Sequence, residues 1–129
     1  MKTLIKNGYV VSMVSEPRKT DIVIEDDKIA RIGTVSEENS FFDKVIDASN
    51  MAVMPGIVNA HTHVGMSLFR GYNDELELMN WLQEMWKVED RMKKEDVYYA
   101  SMLSGLEMIK SGTTTFSDQY FFEEETAQM

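Results

Sequence analysis

Pro55-Gly56-Ile57-Val58-Asn59-Ala60-His61-Thr62-His63, continuing through Val64-Gly65-Met66-Ser67-Leu68-Phe69-Arg70-Gly71, is the stretch whose reading decides the fold. It opens on a Pro-Gly turn signal, passes through a short apolar run and delivers two histidines one residue apart. Side chains of an extended strand alternate faces, so residues i and i+2 point the same way. His61 and His63 are therefore expected to aim both imidazoles at one point, with Thr62 turned away. Two neutral imidazoles converging at a strand end supply half of a divalent-metal site. They are the only histidines in the chain. A bare His-x-His pair is a weak signal, because many such pairs are ordinary surface or core histidines. Its position gives this one weight: it lies at the C-terminal end of a buried-type strand, where parallel α/β folds and barrels place their chemistry.

These residues resemble a known family. The Pro55–His63 run followed by Met66-Ser67-Leu68-Phe69-Arg70-Gly71 is similar to the first barrel strand of the amidohydrolase superfamily. The Asn59-Ala60 pair before the histidines points to its aminohydrolase branch, since dihydroorotase-like relatives usually carry an Asp there. Within that branch the resemblance is greatest to 5-methylthioadenosine/S-adenosylhomocysteine deaminases, with triazine chlorohydrolases and guanine deaminases nearby. It extends over essentially all 129 residues but onto only the N-terminal third or so of such an enzyme. The fold class it implies is α/β: a small N-terminal β-sandwich subdomain over residues 1–50, followed over residues 51–129 by the start of a metal-dependent hydrolase TIM barrel. That start comprises the first two βα units, and the barrel is incomplete.

The chain taken in order is consistent with this. Leu4-Ile5 and Tyr9-Val10-Val11 flank Asn7-Gly8, a favoured turn dipeptide. Asp21–Glu25 and Lys28–Ile32 read as strands joined by Asp26-Asp27, a tight hairpin without its usual Gly. Residues 33–43 read as loop, and Val45-Ile46-Asp47 as one more strand. Residues 52–63 read as a single strand whose Ala52-Val53-Met54 is apolar on both faces, as in a parallel strand covered by helices. A helix is expected over Leu78–Trp86, with Trp81, Leu82 and Met85 at helical spacing. A longer one is expected from Lys94 to Ser111, with Glu95 and Asp96 favourable to its N-terminus. Tyr99, Met102, Leu103, Leu106 and Ile109 form its apolar stripe and are expected to be core. Gly112 suits the position after its last turn, and Thr113–Phe116 then reads as a second parallel strand. A strand-helix-strand unit follows.

Composition sets outer bounds. With 43% hydrophobic and 27% charged residues, the chain belongs to the globular class rather than the disordered one. A net charge of −9 argues against nucleic acid or an anionic membrane surface as partner. No cysteine is present, so there is neither a disulfide framework nor a thiolate metal site, and a cytoplasmic location is expected. The start, Met1-Lys2-Thr3-Leu4-Ile5-Lys6-Asn7-Gly8, has too short an apolar run for a signal peptide, and no stretch approaches the length of a membrane span. The eleven methionines read as adaptable core filler.

Hydrolytic zinc sites use three protein ligands and keep an open position. With two histidines, a third ligand from this chain must be a carboxylate. Asp118, past the second strand, is the nearest candidate, although such a residue is more often a loop cap. The resemblance implies more. His61 and His63 match the first two metal ligands of one divalent ion, zinc by expectation and iron as the alternative. The remaining ligands and the proton-shuttling Glu belong to later strands, so no catalytic residue is expected within this chain. Glu89 matches the position that hydrogen-bonds the ribose hydroxyls of an adenosine-type substrate, and a carboxylate suits a vicinal diol as a two-oxygen acceptor. Read on its own, Glu89 is a solvated charge at a helix flank. Trp81 matches a pocket-wall aromatic, with a core Trp as the plainer reading. Glu84-Met85-Trp86-Lys87-Val88-Glu89 is one residue shorter than the family pattern and lacks its Pro before the Val. Lys93 stands where a capping Thr is common.

The implied function is the N-terminal part of a metal-dependent aminohydrolase that deaminates adenosine-type nucleosides. Its partner would be a small-molecule nucleoside, with neither nucleic acid nor membrane involved. A related chlorohydrolase or guanine deaminase is the alternative. A reading of another class is that the 129-residue chain alone is an inactive fragment, able at most to bind metal weakly. A closed barrel takes about 250 residues and eight strands. Two strands leave exposed edges through which the chain would associate, with itself included.

Overall fold

The computed structural model describes residues 1–36 and 41–129. Part of the loop expected over 33–43 therefore lies outside the described residues. The chain divides into two compact units, Met1–Pro55 and Gly56–Met129.

The first unit is a five-stranded mixed sheet built on β1 (Lys2–Val10). On one side β1 pairs antiparallel with β2 (Arg18–Glu25), which pairs in turn with β3 (Lys28–Ile32). On its other side it pairs in parallel with two short strands in succession, β4 (Lys44–Asp47) and β5 (Ala52–Val53). Leu4, Val10, Ile22, Val23 and Ala48 are its buried apolar residues. The hairpin at Asp26-Asp27 forms as expected, and Asp26 takes the left-handed conformation (φ 54°) in place of a glycine.

Two expectations for this unit are corrected. Asn7-Gly8 is not a turn: β1 runs straight through it. Lys6 and Asn7 together oppose Asp21, so β1 carries a bulge at those two residues and resumes its register at Gly8. Asn7 is left-handed there (φ 62°), and its N–H donates to Asp21 Oδ1 at 2.8 Å. Gly8 allows the close approach of the neighbouring strand, since a Cβ would lie 2.7 Å from Val53 Cγ2. Nor is 52–63 one strand. Ala52-Val53 pairs with β1, and the next strand, β6 (Ile57–Thr62), begins only after Met54-Pro55-Gly56. Pro55 has no N–H to give a ladder, so pairing stops there and restarts in the second unit. The unit boundary consequently follows Pro55, beyond the 50/51 division read from the sequence.

In the second unit β6 pairs in parallel with β7 (Thr113–Asp118). Between them come a 3-10 turn over Val64–Phe69, α1 (Leu78–Glu89) and α2 (Lys94–Ser111); a short α3 (Glu123–Thr126) follows. α2 covers the range read from its periodicity. At its start the Lys93 N–H donates to the Asp96 carboxylate at 2.9 Å, so the cap comes from inside the helix although Lys93 replaces a capping side chain. α1 runs to Glu89, three residues beyond the expected end, with Met85 buried.

The buried face of α2 is not the one its large residues mark. Tyr99, Met102, Leu103, Leu106 and Ile109 are exposed, Ile109 by 74%. Val97, Ala100, Ser101 and Ser104 are buried instead. Small side chains let the 3-10 turn and α3 approach closely, and hydroxyls bond across the gap. Ser104 Oγ donates to the Val64 carbonyl and Ser67 Oγ to the Ala100 carbonyl, both at 2.8 Å, while Ser101 and Thr126 pair at 3.3 Å. The helical period marks an apolar stripe, but only the packing partner decides which face is used.

Gly112 ends α2 in the left-handed conformation (φ 88°), with its N–H on the Ile109 carbonyl, and nothing lies within 4 Å of where a Cβ would stand. Gly112→Ala is therefore expected to destabilise the protein by about 1–2 kcal/mol through the backbone alone. Gly112→Asn should recover most of that. A lower denaturant midpoint at unchanged m-value checks it.

Candidate metal and substrate site

Strands β6 and β7 end level with one another, Thr62 opposite Asp118. Just beyond, the Gln119 main chain makes two bonds. Its N–H donates to the Thr62 carbonyl at 2.9 Å, and its carbonyl accepts from His63 Nδ1 at 2.5 Å. A carbonyl only accepts, so His63 carries its proton on Nδ1. In the neutral ring this leaves the Nε2 lone pair free, the arrangement that orients a metal-binding imidazole. His61 and His63 stand on the same side of the segment, with ring centroids 5.0 Å apart and planes at 78°. His61 is exposed, and its N–H lies 3.3 Å from Asn59 Oδ1. Two imidazoles side by side, one with its second nitrogen already engaged, fit two ligand positions of a divalent ion.

Asp118 does not join them. Its Oδ1 accepts the Val64 N–H at 2.9 Å and so caps the 3-10 turn. Its Oδ2 is buried and, among the described residues, has no hydrogen-bond partner. Among the described residues no three His, Cys, Asp or Glu side chains gather into a metal-binding group.

Glu89, the last residue of α1, is half-buried, and its Oε1 accepts a 2.8 Å hydrogen bond from the Tyr120 hydroxyl. The Tyr120 ring lies 6.3 Å from the His63 ring. Beside Glu89 opens a groove of about 540 Å³ walled by Trp86, Met92, Phe121 and Phe122, with Asp90 and Glu123 at its polar edge. Trp81 lies on the first turn of α1, half-buried, and is not one of the groove's lining residues. The aromatic wall next to Glu89 comes from Trp86 instead.

Neither Gln119 nor Tyr120 stands in a motif of the sequence. A main-chain carbonyl has no sequence signature, and a lone Tyr has no motif spacing. The available signal was position, since both directly follow a strand whose C-terminal end was already marked for chemistry.

Residues 52–128 match a family described as the amidohydrolase family. A 5′-deoxyadenosine deaminase from Methanosarcina mazei is 50% identical over 129 residues, spanning 97% of this chain and 29% of that protein. A 5-methylthioadenosine/S-adenosylhomocysteine deaminase from Desulforudis audaxviator is 45% identical over 131 residues, spanning 99% of this chain and 30% of that protein. Among solved structures, an adenosine deaminase from Xanthomonas campestris with bound zinc superposes with a TM-score of 0.88 at 33% identity, over 98% of this chain and 30% of that one. The chain thus spans less than a third of the length of the curated relatives it matches. Among the described residues no helix is long and apolar enough to cross a membrane.

Burial holds the Tyr120 phenol well above its ordinary range, and the Glu89 carboxylate that accepts its hydrogen bond adds to the shift. Because the folded value is the raised one, the stability tied to this proton is fully present below the ordinary phenol value of about 10. It is lost as pH rises towards the folded value. A spectroscopic pH titration of the protein against its Tyr120→Phe variant is expected to show this phenolate forming after the other tyrosines. Its appearance among the first would contradict the burial and the bond to Glu89.

Proposed function

Because the chain belongs to the amidohydrolase family, we propose that it forms the N-terminal part of a metal-dependent aminohydrolase that removes the amino group of adenosine-type nucleosides, 5-methylthioadenosine and S-adenosylhomocysteine among them. The observation that carries the proposal is the His61–His63 pair at the end of β6, with His63 Nδ1 engaged by the Gln119 carbonyl. Deaminases as much as 50% identical over this chain support that substrate class. In this reading the first unit, Met1–Pro55, starts a β-sandwich subdomain and the second, Gly56–Met129, starts a TIM barrel, β6 and β7 being its first two strands. The protein acts in the cytoplasm.

His61 and His63 would hold the ion, zinc by preference. When bound, a divalent ion there supplies Lewis acidity for hydrolysis. The chain's own residues do the rest of what is assigned here. Gln119 fixes the His63 tautomer and ring orientation. Glu89 accepts from the ribose hydroxyls, and Trp86, Phe121 and Phe122 supply the apolar wall of the groove beside it. Trp81 is left to packing. Water replaces the exocyclic amino group of the purine, and ammonia leaves. No residue of this chain is assigned the proton transfer.

A second reading concerns the 129-residue chain by itself, and its motivating observation is the exposed stripe Tyr99, Met102, Leu103, Leu106 and Ile109. In a closed barrel that stripe is covered by further elements. The isolated chain should therefore be inactive and should self-associate through these faces.

The test is ammonia release by the metal-loaded, full-length gene product from methylthioadenosine, adenosylhomocysteine and adenosine. Chelation should abolish turnover, and zinc should restore it. His61→Asn and His63→Asn should each lower metal affinity and turnover by at least about 100-fold. No ammonia from any of the three substrates would overturn the substrate class, and unchanged metal content in both His variants would overturn the metal assignment.

A further inference from the structure

We propose that Tyr120 is a positioning residue for ribose recognition: its hydroxyl holds one oxygen of the Glu89 carboxylate and so presents the other to the sugar. The inference rests on the reading of Glu89 as the ribose acceptor. Glu89 sits at the end of α1, where a glutamate without a partner would sample several rotamers. The 2.8 Å bond from Tyr120 to Oε1 removes that freedom. Oε2 keeps its acceptor positions for a diol.

Tyr120 is itself held on three sides. Gly65 lies directly under its ring, for a Cβ there would meet Tyr120 Cδ1 and Cε1 at 2.5 Å. Phe121 stands 5.3 Å away between centroids, and the hydroxyl lies 3.7 Å from Met92 Sδ. The adjacent residue in the chain, Gln119, is the one whose carbonyl engages His63. The dipeptide Gln119-Tyr120 therefore ties His63 through the main chain and Glu89 through a side chain. It sets the spacing between the two groups that the proposed reaction must keep in register.

The experiment compares Tyr120→Phe with the unaltered full-length, metal-loaded protein on 5-methylthioadenosine and on its 2′,3′-dideoxy counterpart. For the riboside, KM is expected to rise about tenfold, the size of one hydrogen bond to a charged group. The value of kcat should stay within about twofold. For the dideoxy compound the two proteins should have the same KM, and bound zinc should be unchanged. An equal loss on both compounds would mean that the ring acts only as packing, and no loss on either would mean that the hydroxyl is idle. Loss of zinc would mean that Tyr120 serves His63 instead. Each of these outcomes overturns the inference.

Glu89→Gln separates this inference from the reading beneath it. If that variant discriminates the two compounds while Tyr120→Phe does not, only the role of Tyr120 falls. If neither variant discriminates them, the ribose assignment falls and takes this inference with it. Should Tyr120→Phe fail to fold, Gly65→Ala is read in the same way, because its added Cβ displaces the ring.

Discussion

The Gln119 main chain is the constraint on which the candidate site depends. Its N–H extends the β6–β7 ladder by one bond to Thr62, and its carbonyl accepts the hydrogen bond of His63 Nδ1–H. The same peptide segment that closes the parallel pair thus also fixes the imidazole. A main-chain acceptor suits this task because the sheet holds it in place and it has no rotamer of its own. Parallel pairing in turn requires a long crossover, here the 3-10 turn, α1 and α2, before the second strand can return beside the first. Glu89 lies on that crossover. Tyr120, which meets it, lies just beyond the returning strand.

α2 shows how much a helical pattern leaves open. Its ends follow from local chemistry: Asp96 accepts the Lys93 N–H at one end, and Gly112 turns left-handed at the other. Its large apolar residues stand at helical spacing, as a core-facing stripe should. Yet the buried face is the one made of Val97, Ala100, Ser101 and Ser104. Small residues permit close approach, and the hydroxyls of Ser104 and Ser67 donate across it to the carbonyls of Val64 and Ala100. Only the small-residue face meets its partner within the described residues.

What the sequence by itself determined was whatever the backbone dictates over a few residues. Strand alternation put His61 and His63 on one side, and helical spacing placed α2 between Lys94 and Ser111. Turn chemistry marked the hairpin at Asp26-Asp27 and the stop at Gly112. The family resemblance singled out Glu89. What only the tertiary structure decided were matters between residues far apart in the chain. Asn7 became a bulge because Asp21 of the facing strand accepts its N–H. Residues 52–63 became two strands because Ala52-Val53 found β1. Asp118 became a cap, and Gln119 and Tyr120 became the supports of His63 and Glu89, because folding brought β7 back beside β6. Local periodicity is written in backbone geometry, whereas the partner of a hydrogen bond 31 or 56 residues away exists only once the chain has closed upon itself.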